Sequence, residues 1–139
     1  MNMGENRRGD KIKEIEKYIE ELEPNLPNTL EEYKRDFKIR AICERYFEKI
    51  VEAVVDLAFI FIKEQKLKLP ENDESSFYIL RDAGIIDATL SKKLKDAKGM
   101  RNIIAHEYGK INDELVFEAI TEQLINDVKE FISEIKKKS

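Results

Sequence analysis

Phe47-Glu48-Lys49-Ile50-Val51-Glu52-Ala53-Val54-Val55-Asp56-Leu57-Ala58-Phe59-Ile60-Phe61-Ile62 is the stretch whose pattern decides the fold. Its charged residues, taken with Arg45, recur at i, i+3, i+4, i+7 and i+11: Arg45, Glu48, Lys49, Glu52 and Asp56. That spacing draws one polar stripe along an α-helix and leaves Phe47, Ile50, Val54 and Leu57 for a core. The stripe stops at Asp56. From Leu57 to Ile62 the helix is apolar on every side, so it must be covered all round, by the rest of a bundle or by a second copy of the chain. A homodimer is therefore expected. Upstream, Thr29 with Glu32 has the spacing of a capping box, and helical periodicity runs from there without a breaker to about Lys68.

Working outward from this helix, residues Asp10 to Leu22 carry Ile12, Ile15, Ile19 and Leu22 at helical spacing, with Asp10 as a cap and Pro24 and Pro27 as the stop. Residues 1–10 match no pattern and are expected to form a flexible tail. Beyond the polar loop at Pro70, Ser75 or Ser76 can cap a short helix through Ala83, with Gly84 at its C′ position. Asp87 can cap the next helix, in which Ala88, Leu90, Leu94, Ala97 and Met100 are spaced for one buried face, continuing through Ile104 to about His106. Gly109 breaks the chain. Asn112 or Asp113 then caps a last helix whose inward residues are Leu115, Phe117, Ile120, Leu124, Val128, Phe131 and Ile135. No stretch alternates apolar and polar residues long enough for a strand, so the fold class is all-α. The expectation is one domain over residues 1–139, an up-and-down bundle of about five helices.

Composition narrows the function. A chain of 139 residues can bury a core without staples. One cysteine, Cys43, and one histidine exclude an internal disulfide and a usual zinc site, and suit a reducing cytoplasm; no cofactor and no metal are expected. Cys43 itself reads as buried packing, because nothing near it would stabilise a thiolate. No apolar run approaches the length of a membrane span. Charged residues are 39% of the chain but nearly cancel, to a net of -4, so any contact with nucleic acid must be local. Lys92, Lys93, Lys95 and Lys98 could guide RNA, although Asp96 interrupts them and such a run usually marks a solvated helix face.

The stretch with the most chemistry is Arg101-Asn102-Ile103-Ile104-Ala105-His106-Glu107-Tyr108. On a helix, Met100, Ile103 and Ile104 point toward the core, while Arg101, Asn102, Ala105 and His106 fall on the other arc. Asn102 and His106 are i, i+4 neighbours, so the amide can orient the ring, and Tyr108 lies in line with Arg101 at i, i+7. Cleaving RNA without a metal takes a base for the ribose 2′-hydroxyl, a cation on the phosphate and donors that fix the geometry. His106, Arg101 and Asn102 are residues of those types, and a guanidinium can grip two phosphate oxygens at once. The spacing alone does not assign the role, since a histidine near a helix end with an arginine five residues earlier is common. Tyr108 taken alone reads as an anchoring aromatic.

The string Met100 to Tyr108 resembles the R-x4-H-x-Y form of the HEPN motif in the HepT family, including the Arg-Asn pair and the alanine before the histidine. Glu44-Arg45-Tyr46-Phe47-Glu48 and Glu52 to Ala58 resemble that family's long helix, and Gly84-Ile85-Ile86 precedes the motif at a similar distance, so the likeness spans roughly residues 12 to 133. The resemblance implies a HEPN-type bundle, dimerised so that two motif copies line one cleft, acting as a metal-independent endoribonuclease toxin. It implies Arg101 and His106 as the catalytic pair, Asn102 as a supporting polar residue, and Tyr108 as the acceptor of AMP from an MntA-like minimal nucleotidyltransferase antitoxin. Two competing readings are a non-catalytic partner subunit that presents nucleotide or substrate to such a nucleotidyltransferase, and a helical interaction protein pairing through Leu57 to Ile62.

Overall fold

The computed structural model describes residues 3–106 and 111–138, with side chains from residue 6 onward, and the described residues contain helices and no strand. The helices are α1 (Met3–Leu22), α2 (Leu30–Arg35), α3 (Phe37–Glu64), α4 (Asp73–Asp82), α5 (Ala88–His106), α6 (Asp113–Glu118) and α7 (Leu124–Lys137). A 3-10 turn over Glu23–Asn25 follows α1, and a π turn over Ala119–Gln123 joins α6 to α7. The fold is the expected all-α bundle. α1 lies along α3, α4 and α5 pack on each other and on α3, and α7 closes over α5 and α3.

α3 is the axis. Its polar stripe faces outward, with Arg45, Glu52 and Asp56 exposed, while Phe47, Ile50, Val54 and Leu57 are buried. The all-apolar segment is covered within the single chain: Leu57, Ala58, Phe61 and Ile62 have no accessible surface, Ile60 is buried and only Phe59 is half-buried. Apart from part of Phe59, Leu57 to Ile62 offers no surface for pairing subunits, so the reading as an interaction protein that pairs through this segment loses its basis. The dimer expectation loses its argument from this segment.

Two expected helices are each divided. Asp36 interrupts the long second helix at φ -106° and ψ 101°. Its backbone N–H donates to the Glu32 carbonyl to end α2, and its Oδ1 accepts from the N–H groups of Lys38 at 2.9 Å and Ile39 at 3.3 Å to start α3. The Arg40 guanidinium donates to the carbonyls of Tyr33 and Lys34, satisfying the exposed end of α2. At the head of α2 the capping box is half formed: Thr29 accepts from Glu32 N–H at 3.1 Å, but the Glu32 carboxylate accepts from Asn28 N–H, not from Thr29. The last helix is divided by the π turn, whose extra residue resets the phase. Val116 is buried ahead of it, Ala119 and Ile120 within it and Leu124, Val128, Phe131 and Ile135 beyond it, while Leu115, expected inside, is 51% exposed.

Two boundaries also move. Met3 to Asp10 belongs to α1 instead of forming a tail, because Arg8 is anchored: it pairs with Glu64 at 3.2 Å and its guanidinium lies 5.9 Å from the centre of the Phe61 ring. α4 is capped by Asn72, in a reciprocal box with Ser75, three residues ahead of the first expected cap. Ala88 is exposed at the head of α5, where Asp87 caps as expected, its Oδ1 accepting from Leu90 N–H at 2.7 Å. The buried Ser91 hydroxyl donates to the Phe77 carbonyl at 3.1 Å and so ties α5 to α4.

α3 and α4 end in the same way. Ile85 N–H reaches back to the Leu80 carbonyl and Gly84 N–H to Arg81, with Gly84 at φ 77°; Leu67 N–H reaches Ile62 and Lys66 N–H reaches Lys63, with Lys66 at φ 56°. Both are Schellman closures, which need one left-handed residue, and only the first has the residue type suited to it. Nothing lies within 4 Å of a Cβ placed on Gly84, so the two substitutions differ only in backbone preference. Gly84→Ala is expected to lower, and Lys66→Gly to raise, unfolding free energy by about 1 kcal/mol each in denaturant titrations.

Cys43 is fully buried, and burial, reinforced by the nearby Glu44 carboxylate, pushes its thiol up to about 11. The folded state therefore keeps a proton that the unfolded chain, with a thiol near 8.5, gives up. This contribution is complete below about pH 8.5 and is lost as pH rises toward 11. Thermal melts of the protein and of Cys43→Ala should show the alkaline loss of stability made shallower by the substitution, and Cys43 should resist thiol reagents at pH 8 until the chain unfolds.

Candidate functional site

The C-terminal half of α5 carries the residues singled out by sequence. Arg101 lies on the flank of α5 that faces α3, and its Nη2 forms an ion pair with Glu52 Oε1. The Arg101 side chain is 19% exposed and that of Glu52 is 49% exposed, so water screens the pair and a phosphate can compete for the guanidinium. Arg101 Nη1 also donates to Asn102 Oδ1 at 3.4 Å, and Arg101 Nε is buried without a hydrogen-bond partner among the described residues. The cation is thus steered by two acceptors and keeps donor capacity in hand.

Asn102 is half-buried, and its Oδ1 accepts from Lys98 Nζ at 3.2 Å as well as from Arg101. Lys98 Nζ in turn pairs with Asp73 at 3.2 Å, at the start of α4. Asn102 therefore joins two cations, and among the described residues it makes no hydrogen bond to His106; the expected orientation of the ring by this amide is corrected. Its Oδ1 is an acceptor that Lys98 and Arg101 share. His106 is the last described residue of α5 and is exposed. Tyr108, with Glu107 and Gly109, lies outside the described residues.

Ile104 is buried, but Ile103 is 39% exposed, against the expectation that both point inward. The helix turns 100° per residue, so two consecutive positions cannot both face one narrow contact, and the neighbours of α5 at its end lie on the Ile104 side. Ile103 instead extends the surface beside His106. The site thus combines an exposed imidazole, a steered guanidinium and an amide joined to a second cation, all on the last two turns of one helix. Such a set can move a proton and hold an anion.

Glu52 was not singled out by sequence as part of the site. The signal was present: it is the one charged residue between Ile50 and Val55, an acid set among apolar positions on the central helix. Lys98 and Asp73 were likewise read only as parts of a lysine run and a loop. Among the described residues no group of three or more His, Cys, Asp or Glu side chains could hold a metal ion, and no helix is long and apolar enough to cross a membrane.

Comparison with known proteins places this geometry. The family model described as ribonuclease HepT-like matches residues 15–135. The chain is 30% identical over 105 residues to the mRNA nuclease HepT of Shewanella oneidensis, covering 76% of this chain and 78% of that protein. It is 27% identical over 107 residues to the tRNA nuclease HepT of Aphanizomenon flos-aquae, covering 77% and 73%. Among solved structures it is similar to a tri-AMPylated HEPN toxin of Shewanella oneidensis in complex with its MNT antitoxin, with a TM-score of 0.80, 27% identity and 99% of each chain covered. A toxin–antitoxin structure with AMP-PNP gives a TM-score of 0.86 at 26% identity, covering 94% of this chain and 97% of the other. With a bundle of the same shape and a family match that runs from α1 to α7, the chain belongs to the ribonuclease HepT-like family of HEPN proteins.

Proposed function

We propose that this ribonuclease-family member is a metal-independent endoribonuclease toxin, with His106 as general base and Arg101 on the scissile phosphate. The observation that carries the reading is the pairing of an exposed His106 with an Arg101 that Glu52 and Asn102 steer along the same helix, in a chain similar to proteins named as nucleases. His106 takes the proton of a ribose 2′-hydroxyl, and O2′ attacks the adjacent phosphorus. The O2′–P bond forms as the P–O5′ bond breaks, and the proton held by His106 passes to the leaving O5′. The products are a 2′,3′-cyclic phosphate and a 5′-hydroxyl. Arg101 offsets the charge that grows on the non-bridging oxygens, and Asn102 supports it as the hydrogen-bonding neighbour.

The partners follow from the relatives. Two copies of the chain would pair as a homodimer with their α5 ends about one cleft that takes RNA. An MntA-like minimal nucleotidyltransferase would be the antitoxin, since similar chains are solved in complex with an MNT antitoxin, one of them AMPylated. Tyr108 is the AMP acceptor in this reading: its hydroxyl displaces pyrophosphate from ATP and becomes a phosphodiester. A bulky anion two residues from His106 then repels an approaching phosphate and blocks the site. Cytoplasmic RNA would be the target.

Purified protein is expected to cut single-stranded RNA in excess EDTA. His106→Ala and Arg101→Ala should each lower the single-turnover rate by about 100-fold or more while circular dichroism stays unchanged. Cleavage by His106→Ala at the wild-type rate would end the assignment. Intact-mass spectrometry after incubation with the cognate nucleotidyltransferase and ATP should show AMP additions to the wild type that Tyr108→Phe fails to acquire.

A further inference from the structure

The four lysines of α5 do not form one surface. Lys92 pairs with Asp96 at 3.0 Å, Lys93 with Asp127 at 3.8 Å, and Lys98 with Asp73 and Asn102. Lys95 has no carboxylate within ion-pair distance among the described residues. Its Nζ lies 5.7 Å from the centre of the Tyr78 ring on α4, and the guanidinium of Arg81 lies 4.9 Å from the same ring. Tyr78 is half-buried, so part of its side chain stays open to solvent beside these cations. Asp82 pairs with Arg81 at 3.0 Å at the exposed end of α4; the Tyr78 hydroxyl is the strongest influence on Lys95, and Glu74 and Asp96 add negative potential near it without pairing with it.

The register along α5 connects this group to the site. Lys95, Asn102 and His106 stand at i, i+7 and i+11, within about 20° of one line on the helix surface, and Lys95 and His106 are about 16 Å apart along the axis. Lys98 lies beside that line and is joined to Asn102. A ring flanked by two cations offers a base a face to stack on and its phosphates a place to pair, which suits an unstacked single strand and not a duplex.

We propose that Tyr78, Arg81 and Lys95 form a second RNA contact, a platform for single-stranded RNA a few nucleotides from the linkage cut at His106. The proposal rests on the reading of the chain as a ribonuclease for its substrate, but its test does not depend on cleavage. A fluorescein-labelled single-stranded RNA is titrated by anisotropy into the dimer or higher assembly as purified, carrying His106→Ala to prevent turnover, over a range of KCl concentrations. Adding Arg81→Ala and Lys95→Ala together should weaken binding at least tenfold near 0.1 M salt and lower the slope of log K against log salt by about 1.4, two single-strand phosphates' worth. Tyr78→Ala should weaken binding about fivefold or more at an unchanged slope, through lost stacking, and Tyr78→Phe should restore it. Lys92→Ala, which removes one charge off the line, should bind as its parent does.

Wild-type affinity and slope in the Arg81/Lys95 variant would overturn the platform, as would equal losses from Lys92→Ala. Cleavage by the unmutated protein together with unchanged binding in that variant removes the platform and leaves the nuclease reading standing. Weakened binding in the variant, with no cleavage by the unmutated protein, keeps the platform and removes the nuclease.

Discussion

A helix without a polar side cannot rest against water, and α3 is such a helix over its last third. Its burial organises the whole molecule. All of Leu57 to Ile62 but part of Phe59 is covered within the same subunit, and Arg8 of α1 contributes by lying over Phe61 while its charge is met by Glu64. Covering α3 on one flank fixes α1; covering it on the others fixes α4, α5 and α7. Burial of the largest side chains, at roughly 1.5 to 3 kcal/mol each relative to exposure, is the favourable term that outweighs the ordering of so many short elements.

The same axis sets the site. Where α3 regains its polar stripe, Glu52 projects between apolar neighbours and meets Arg101 of α5. A guanidinium held wholly in the interior could not exchange its partner, and one left free in water would sample many directions. The pair lies between these limits, which lets it be steered by Glu52 and Asn102 and still be available to an anion. Lys98 extends this network to Asp73, so that α3, α4 and α5 are linked by charge beside the C-terminal turns of α5 that carry His106.

Much of this was legible in the sequence because period and caps are local properties. The core faces of α1, α3 and α7, the cap at Asp87 and the left-handed Gly84 all follow from residue type and spacing. The breaks were not legible. A one-residue interruption at Asp36 leaves the apolar spacing almost unchanged on both sides, and a π turn shifts the phase by one residue without any proline or glycine to announce it. The length of α1 escaped for a different reason: it is held by Arg8 against Glu64 on α3, and no window of sequence contains both. The partner of Arg101 is distant in the same sense, which is why the residue types of the site could be read while the amide's direction and the carboxylate could not.

Because each chain seals its own interior around α3, folding and association are separable events. The burial of Leu57 to Ile62 asks nothing of a second copy, so any association would draw on other surfaces and leave the scaffold that carries the histidine as it is.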